Sequence, residues 1–180
     1  MNVEVEVRVI VEDPEKLTRI LGKIAKKIGR KRQKDIYFVP PHQDYFSEKP
    51  VTKYFRVRFL EDGSGIVAFH IVHIEDGRLK YTEEYETGVE DAGKIVEILK
   101  LAGFRERVTV VKDRTLFETD DFRITRDHVE DLGWFLEVEA KEVRSVKEAR
   151  ERCREFIKRL GVGFREAPQM GYPDMLLNFR

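Results

Sequence analysis

A single cysteine, Cys153, cannot close an internal disulfide, so a disulfide-stapled fold is excluded and a reducing, cytoplasmic setting is expected. No apolar run reaches the roughly 18 residues of a membrane span, and the chain opens directly on a strand pattern. Neither a transmembrane helix nor a signal peptide is therefore expected. Net charge is lacking as well: 34 basic and 34 acidic side chains cancel to zero. That balance argues against bulk attraction to nucleic acid or to an anionic membrane, and any affinity for phosphate has to come from local separation of charge. Asparagine and glutamine are scarce beside abundant Lys, Arg and Glu, a thermophile-like composition. A Gly-rich phosphate loop, a zinc motif and a Ser/His/Asp nucleophile signature are missing too.

What is present is a sequence of short alternating segments in 180 residues, enough for one domain spanning 1–180. Residues 3–11 alternate apolar with charged side chains, as a half-buried strand does. Asp13-Pro14 then supplies a cap and a first-turn proline. Helical spacing of Leu17, Ile20, Leu21, Ile24, Ala25 and Ile28 predicts a helix closed by Gly29. Residues 32–39, 53–61, 66–74, 78–87, 105–118, 121–129 and 134–143 read as further strands, with turns at Asp62-Gly63, Asp76-Gly77, Asp120-Asp121 and Leu132-Gly133. A second helix ends at Gly103, a third runs from a Ser145 cap to Leu160, and residues 40–50 form a loop. Eight strands joined mostly as hairpins, with three main helices, predict an α+β fold. Its expected core is an eight-stranded antiparallel barrel or tunnel, closed or nearly closed, because closure removes exposed edges.

The charged positions are sorted by sign. Residues i and i+2 of a strand share a face, so Glu4, Glu6 and Arg8 form one row, Arg56 and Arg58 another, and Lys112 and Arg114 a third. Lys80, Glu84 and Glu86, then Arg123 and Asp127, then Glu137 and Glu139 complete the set. A wet sheet face usually mixes signs, since like neighbours repel. Two purely cationic rows and one purely anionic row favour ligands of opposite sign. Clustered carboxylates suit Mg²⁺ or Mn²⁺, and Arg/Lys rows suit a polyphosphate.

These residues resemble the CYTH family, the triphosphate tunnel metalloenzymes, and within it the class IV adenylyl cyclase-like branch. Glu4, Glu6 and Arg8 are similar to its E-x-E-x-K signature, Arg56-Val57-Arg58 to its R-x-R strand and Lys112-Asp113-Arg114 to its K-x-R strand. Asp127, Leu132-Gly133, Phe135, Glu137 and Glu139 match D-x-V-x-x-L-G-x-F-x-E-x-E. Gln33-Lys34-Asp35-Ile36-Tyr37-Phe38 resembles Q-x-D-x-Y-F, and Gly171-Tyr172-Pro173-Asp174-Met175-Leu176 the terminal S-Y-x-x-L-L segment. The resemblance implies a tunnel of eight antiparallel strands with helices packed outside.

It further implies that Glu4, Glu6, Asp127, Glu137 and Glu139 hold Mg²⁺ or Mn²⁺. Arg8, Arg56, Arg58, His70, Lys80, Lys112 and Arg114 would contact the phosphates, with Arg8 and Lys112 as the candidate catalytic residues. The expected partner is ATP, inorganic triphosphate or thiamine triphosphate, turned over by cyclisation with release of pyrophosphate or by hydrolysis. No membrane or nucleic-acid partner is expected, and the family resemblance allows a homodimer. The chain departs from the pattern at three positions: Arg8 and His70 stand where the family has Lys, and Thr82 where it has Arg. Those departures keep open a degenerate domain that binds a nucleotide or polyphosphate without turnover. His42, His73 and His128 lack ligand spacing and read as surface or turn residues, Trp134 as packing, Cys153 as a structural helix residue. The run Lys23, Lys26, Lys27, Arg30, Lys31 and Arg32 reads as a solvated helix face.

Overall fold

The structure, a computed structural model, describes residues 5–75, 78–168 and 170–178, without the side chains of 78–80. In chain order it contains β1 (Glu6–Val11), α1 (Pro14–Ile24), β2 (Lys26–Val39), a 3₁₀ turn (Tyr45–Ser47), β3 (Lys53–Phe59), β4 (Gly65–Glu75) and β5 (Arg78–Val89). It continues through α2 (Ala92–Leu101), β6 (Arg105–Glu118), β7 (Phe122–Val129), β8 (Gly133–Ala140), α3 (Val146–Arg159), β9 (Phe164–Glu166) and α4 (Tyr172–Asn178). The fold is α+β, with one large sheet in the order β5-β4-β3-β2-β6-β7-β8-β1-β9. The pairs β1–β8, β1–β9, β2–β3, β3–β4, β4–β5 and β7–β8 are antiparallel. The ninth strand is a three-residue addition beside β1, and the order β5 to β9 is not strictly closed. The expected Asp76-Gly77 turn lies outside the described residues.

By contact the chain forms two compact units. Of the described residues, one comprises 32–75, 78–112 and 170–178, the other 5–31 and 113–168. In the second unit, alternation decides the faces of the sheet. Val5, Val9 and Val11 point into a core completed by Ile124, Leu136 and Val138, while Glu6 and Arg8 occupy the opposite face. Helix α1 starts where Asp13 accepts a 2.8 Å hydrogen bond from the Lys16 amide, with Pro14 in the first turn. Its Leu17 and Leu21, four apart, are fully buried in that core. Helix α3, capped by Ser145, adds Ala149, Cys153 and Ile157 at the same spacing.

The first helix is shorter than its sequence predicts. Ala25 is already extended, and Lys26 begins β2. Ile24 and Ile28, which carry the helical spacing past Leu21, are about half exposed and bury nothing that would favour another turn. Most of the basic run consequently lies on β2. It is solvated, as expected, but only Lys23 of it belongs to the helix.

In the other unit, α2 packs Ile95, Val96 and Leu99 against Ile36, Phe38 and Val57. Asp91 caps α2 by accepting the Lys94 amide at 2.8 Å. Gly65 is required where β4 meets β3: a β-carbon there would stand 2.4 Å from the Arg58 carbonyl oxygen and 2.7 Å from the Ala92 β-carbon. Both are held in place, the first by the ladder and the second by the start of α2. Gly65→Ala is therefore expected to destabilise the protein by about 1–3 kcal/mol. Urea unfolding measures this directly, and Gly22→Ala, where nothing lies within 4 Å, serves as the control.

Candidate functional site

The charged face of the first unit is organised around one carboxylate. Alternation along β2 puts Gln33, Asp35 and Tyr37 on a single face, and the β2–β3 register sets Asp35 opposite Arg58 and Tyr37 opposite Arg56. Asp35 is fully buried. Arg58 donates to both of its oxygens, from Nε at 2.7 Å and from Nη2 at 2.8 Å. Arg56 Nη1 lies 3.5 Å and Lys112 Nζ 3.8 Å from Oδ2. Burial by itself would raise the Asp35 pKa, but the Arg58 hydrogen bonds and the charges of Lys112, Arg58 and Arg56 overcome it. The carboxyl is held well below its ordinary range.

Arg56 also donates to Glu86 at 2.8 Å, and Lys112 sits 5.3 Å from the centre of the Tyr172 ring. Beside Arg56, His70 pairs in register with Glu84. Its Nδ1 is 3.5 Å from Glu84 Oε1 and its Nε2 is 3.4 Å from Glu86 Oε1. Burial, helped by the Arg56 charge and opposed by Glu86, lowers the His70 pKa to about 4, so the ring is neutral at pH 7. The terminal segment is anchored on the same unit. Tyr54 donates to Asp174, which also accepts the Gly171 amide at 3.1 Å.

The second unit carries the acidic row. Glu6 faces Glu139 and Arg8 faces Glu137 across β1–β8, while Arg123 faces Glu139 across β7–β8. Directly opposed residues share a face, so these side chains and Asp127 stand together, away from the apolar core. Arg8 Nε donates to Glu137 Oε1 at 2.6 Å and Arg114 Nη2 to Glu137 Oε2 at 2.7 Å. Arg114 also grips both oxygens of the fully buried Asp127, with Nε at 2.8 Å from Oδ1. Glu6 accepts from Arg8 at 3.2 Å and Glu139 from Arg123 at 2.9 Å.

In chemical type this row, anionic and all-oxygen, suits a hard divalent cation, but among the described residues no three of its carboxylates bring ligand oxygens within 4.8 Å of one another. Glu6 and Glu139, opposed at one register position, are its most accessible members. Glu137 and Asp127 are engaged by arginine on both oxygens, so an ion reaching them has to displace a guanidinium.

Of the candidate residues, one unit gathers Arg56, Arg58, Lys112 and His70, and the other Glu6, Arg8, Arg114, Asp127, Glu137 and Glu139. Glu4 and the side chain of Lys80 lie outside the described residues. Asp35, quoted in the sequence only as part of the Q-x-D pattern, was not singled out there as a site residue; the β2–β3 register is what sets it among the cations. His73 and His128, expected at the surface or in turns, are half-buried on β4 and β7. His73 stacks on Tyr81 at 4.3 Å, Trp134 lies against His128 and Arg126, and burial pushes the Cys153 thiol up to about 11.

Because the folded Asp35 binds its proton more weakly than the unfolded chain does, its contribution to stability is complete above the ordinary value of 3.8 and is lost as pH falls below it. Asp35→Asn is expected to cost about 3–5 kcal/mol at neutral pH, since it leaves buried cations without their carboxylate. It should also flatten the acid limb of a stability–pH profile recorded by denaturant unfolding.

A CYTH domain family model matches residues 2–164. A Methanocaldococcus jannaschii protein named "Putative adenylate cyclase" is 34% identical over 164 residues, covering 89% of this chain and 90% of that one. Adenylate cyclase CyaB of Aeromonas hydrophila is 23% identical over 173 residues, covering 94% and 86%. Among solved structures, the PH1819 protein of Pyrococcus horikoshii OT3 superposes with a TM-score of 0.79 at 26% identity, covering 97% of this chain and 99% of its own. No helix among the described residues is long and apolar enough to cross a membrane. With the family model spanning most of its length and a relative at 34% identity over nearly all of it, the chain belongs to the CYTH domain family.

Proposed function

We propose that the protein binds a triphosphate with a divalent cation and cleaves its phosphoanhydride chain. It would act either as an adenylyl cyclase that releases pyrophosphate or as a triphosphate phosphohydrolase. The observation that carries this reading is the convergence of Arg56, Arg58 and Lys112 on Asp35, with Glu86 as the other carboxylate bonded to Arg56. Three largely buried cations gathered around one carboxylate concentrate fixed positive charge at one spot. Such charge is costly away from water unless it meets an anion, and a polyphosphate is the anion that matches a row of arginine forks. The names of the two relatives support the cyclase form.

In this reading Arg56, Arg58, Lys112, Arg8, Arg114, His70 and Lys80 contact the phosphates. Glu6, Asp127, Glu137 and Glu139, with Glu4, would hold Mg²⁺ or Mn²⁺. When bound, the ion would supply charge neutralisation at the phosphoryl oxygens and the leaving group. Arg8 and Lys112 are the proposed catalytic cations. Arg8 cannot give up its proton, so its contribution is electrostatic and orienting. Cyclisation joins the ribose 3′-oxygen to the α-phosphorus and breaks the α–β bridge. Hydrolysis joins a water oxygen to phosphorus instead and breaks the adjoining P–O–P bridge. It releases the rest of the phosphate chain as phosphate or pyrophosphate and gives the proton to solvent, with the same cations steadying the charge.

A second reading, binding without turnover, draws on His70. It is neutral at pH 7 in a position where the family pattern has a permanent cation, and Thr82 stands where that pattern has Arg.

The test offers ATP, inorganic triphosphate and thiamine triphosphate with Mg²⁺ or Mn²⁺ and measures phosphate, pyrophosphate and cyclic nucleotide. Turnover is expected, lowered at least about 100-fold in a folded Glu137→Ala variant. Metal-dependent thermal stabilisation by a triphosphate without any product would establish the second reading. If neither turnover nor stabilisation appears, both readings fail.

A further inference from the structure

We propose that His70, Glu84 and Glu86 form a second divalent-cation site, one that takes a transition metal such as Mn²⁺, Co²⁺ or Zn²⁺ in preference to Mg²⁺. One ligand atom from each of the three lies within 4.8 Å of the others, and no other described group of His, Cys, Asp and Glu converges this closely. The strand register builds the convergence. His70 on β4 is paired directly with Glu84 on β5, and Glu86 follows two residues along, on the same face. Bonds to such ions are about 2.0–2.2 Å long, so one ion spans donors roughly 4.2 Å apart. Side-chain rotation, with no movement of the ladder, closes the remaining gap.

Three observations favour a ligand set over a hydrogen-bonded cluster. The His70 contacts, 3.5 Å to Glu84 and 3.4 Å to Glu86, are longer than good hydrogen bonds. Glu84 and Glu86, two residues apart on β5, place two like charges on one strand face beside the His70 ring, an arrangement that a shared cation would draw together. The side chains are 13%, 30% and 36% exposed, which leaves an entry path and room for further oxygen ligands. The choice of metal follows from the donors. One imidazole nitrogen with two carboxylates suits borderline ions, whereas Mg²⁺ prefers oxygen and keeps its waters.

Metal binding here stands without the triphosphate reading. Only its consequence rests on that reading: an ion held here would add positive charge close to Arg56.

The experiment strips the full chain of metal and titrates it with Co²⁺, followed by visible absorption and calorimetry, with Mg²⁺ as competitor. The expected result is a Co²⁺ site with a nitrogen ligand that millimolar Mg²⁺ does not displace. His70→Ala and Glu84→Gln should each weaken it at least tenfold, and Glu137→Gln should leave it in place. Selective broadening of the His70 ring resonances by Mn²⁺ in the unsubstituted protein gives a readout that needs no variant. Unchanged Co²⁺ affinity and spectrum in folded His70→Ala and Glu84→Gln would overturn the proposal. So would a wild-type protein whose only Co²⁺ binding disappears with Glu137→Gln, or whose His70 signals ignore Mn²⁺.

Discussion

A fully buried carboxylate has to be compensated at close range, and the charged face of one unit depends on how this is done. Asp35 has lost its water, a cost that only direct hydrogen bonds and nearby charge can offset. Arg58 supplies the bonds through both oxygens, and Arg56 and Lys112 supply additional charge. Compensation therefore draws three cations from two different strands, β3 and β6, onto one spot. Gathering like charges in this way is a form of preorganisation, its cost met within the fold.

The other unit uses the same device with the signs exchanged. Arg114 stands between Asp127 and Glu137, and Arg8 between Glu137 and Glu6, so two arginines hold three carboxylates on one sheet face. Behind that face the apolar residues of β1, β7 and β8 pack on α1 and α3. The core positions the strands, and the strand period positions the charges. A slip of one residue in register would send every charge into the core.

Much of this was legible in the sequence, because period 2 is a strong signal when one face is apolar and the other charged. The rows at Arg56/Arg58 and Glu137/Glu139 read as faces from the strand period alone, and the bounds of β6 match the expected 105–118. The end of α1 could not be read in the same way. Ile24, Ala25 and Ile28 fit a helical period over a window too short to exclude a strand, and the exposure that settles the matter is a tertiary property. Asp35 was hidden for a related reason. A lone acidic residue between Lys34 and Ile36 becomes significant only once the β2–β3 register sets it against Arg58. Likewise, the approach of His70 to Glu84 and Glu86 depends on the pairing of β4 with β5.

Calorimetric titration of inorganic triphosphate into the wild type and into Lys112→Met, at low and moderate salt, tests the central claim most directly. Of the three cations around Asp35, Lys112 stands furthest from it, so its removal leaves the Arg58 bonds in place. If the gathered cations form a polyphosphate site, binding weakens at least about tenfold in the variant and falls with ionic strength. Binding that is absent in the wild type, or that ignores both the substitution and the salt, would contradict the account.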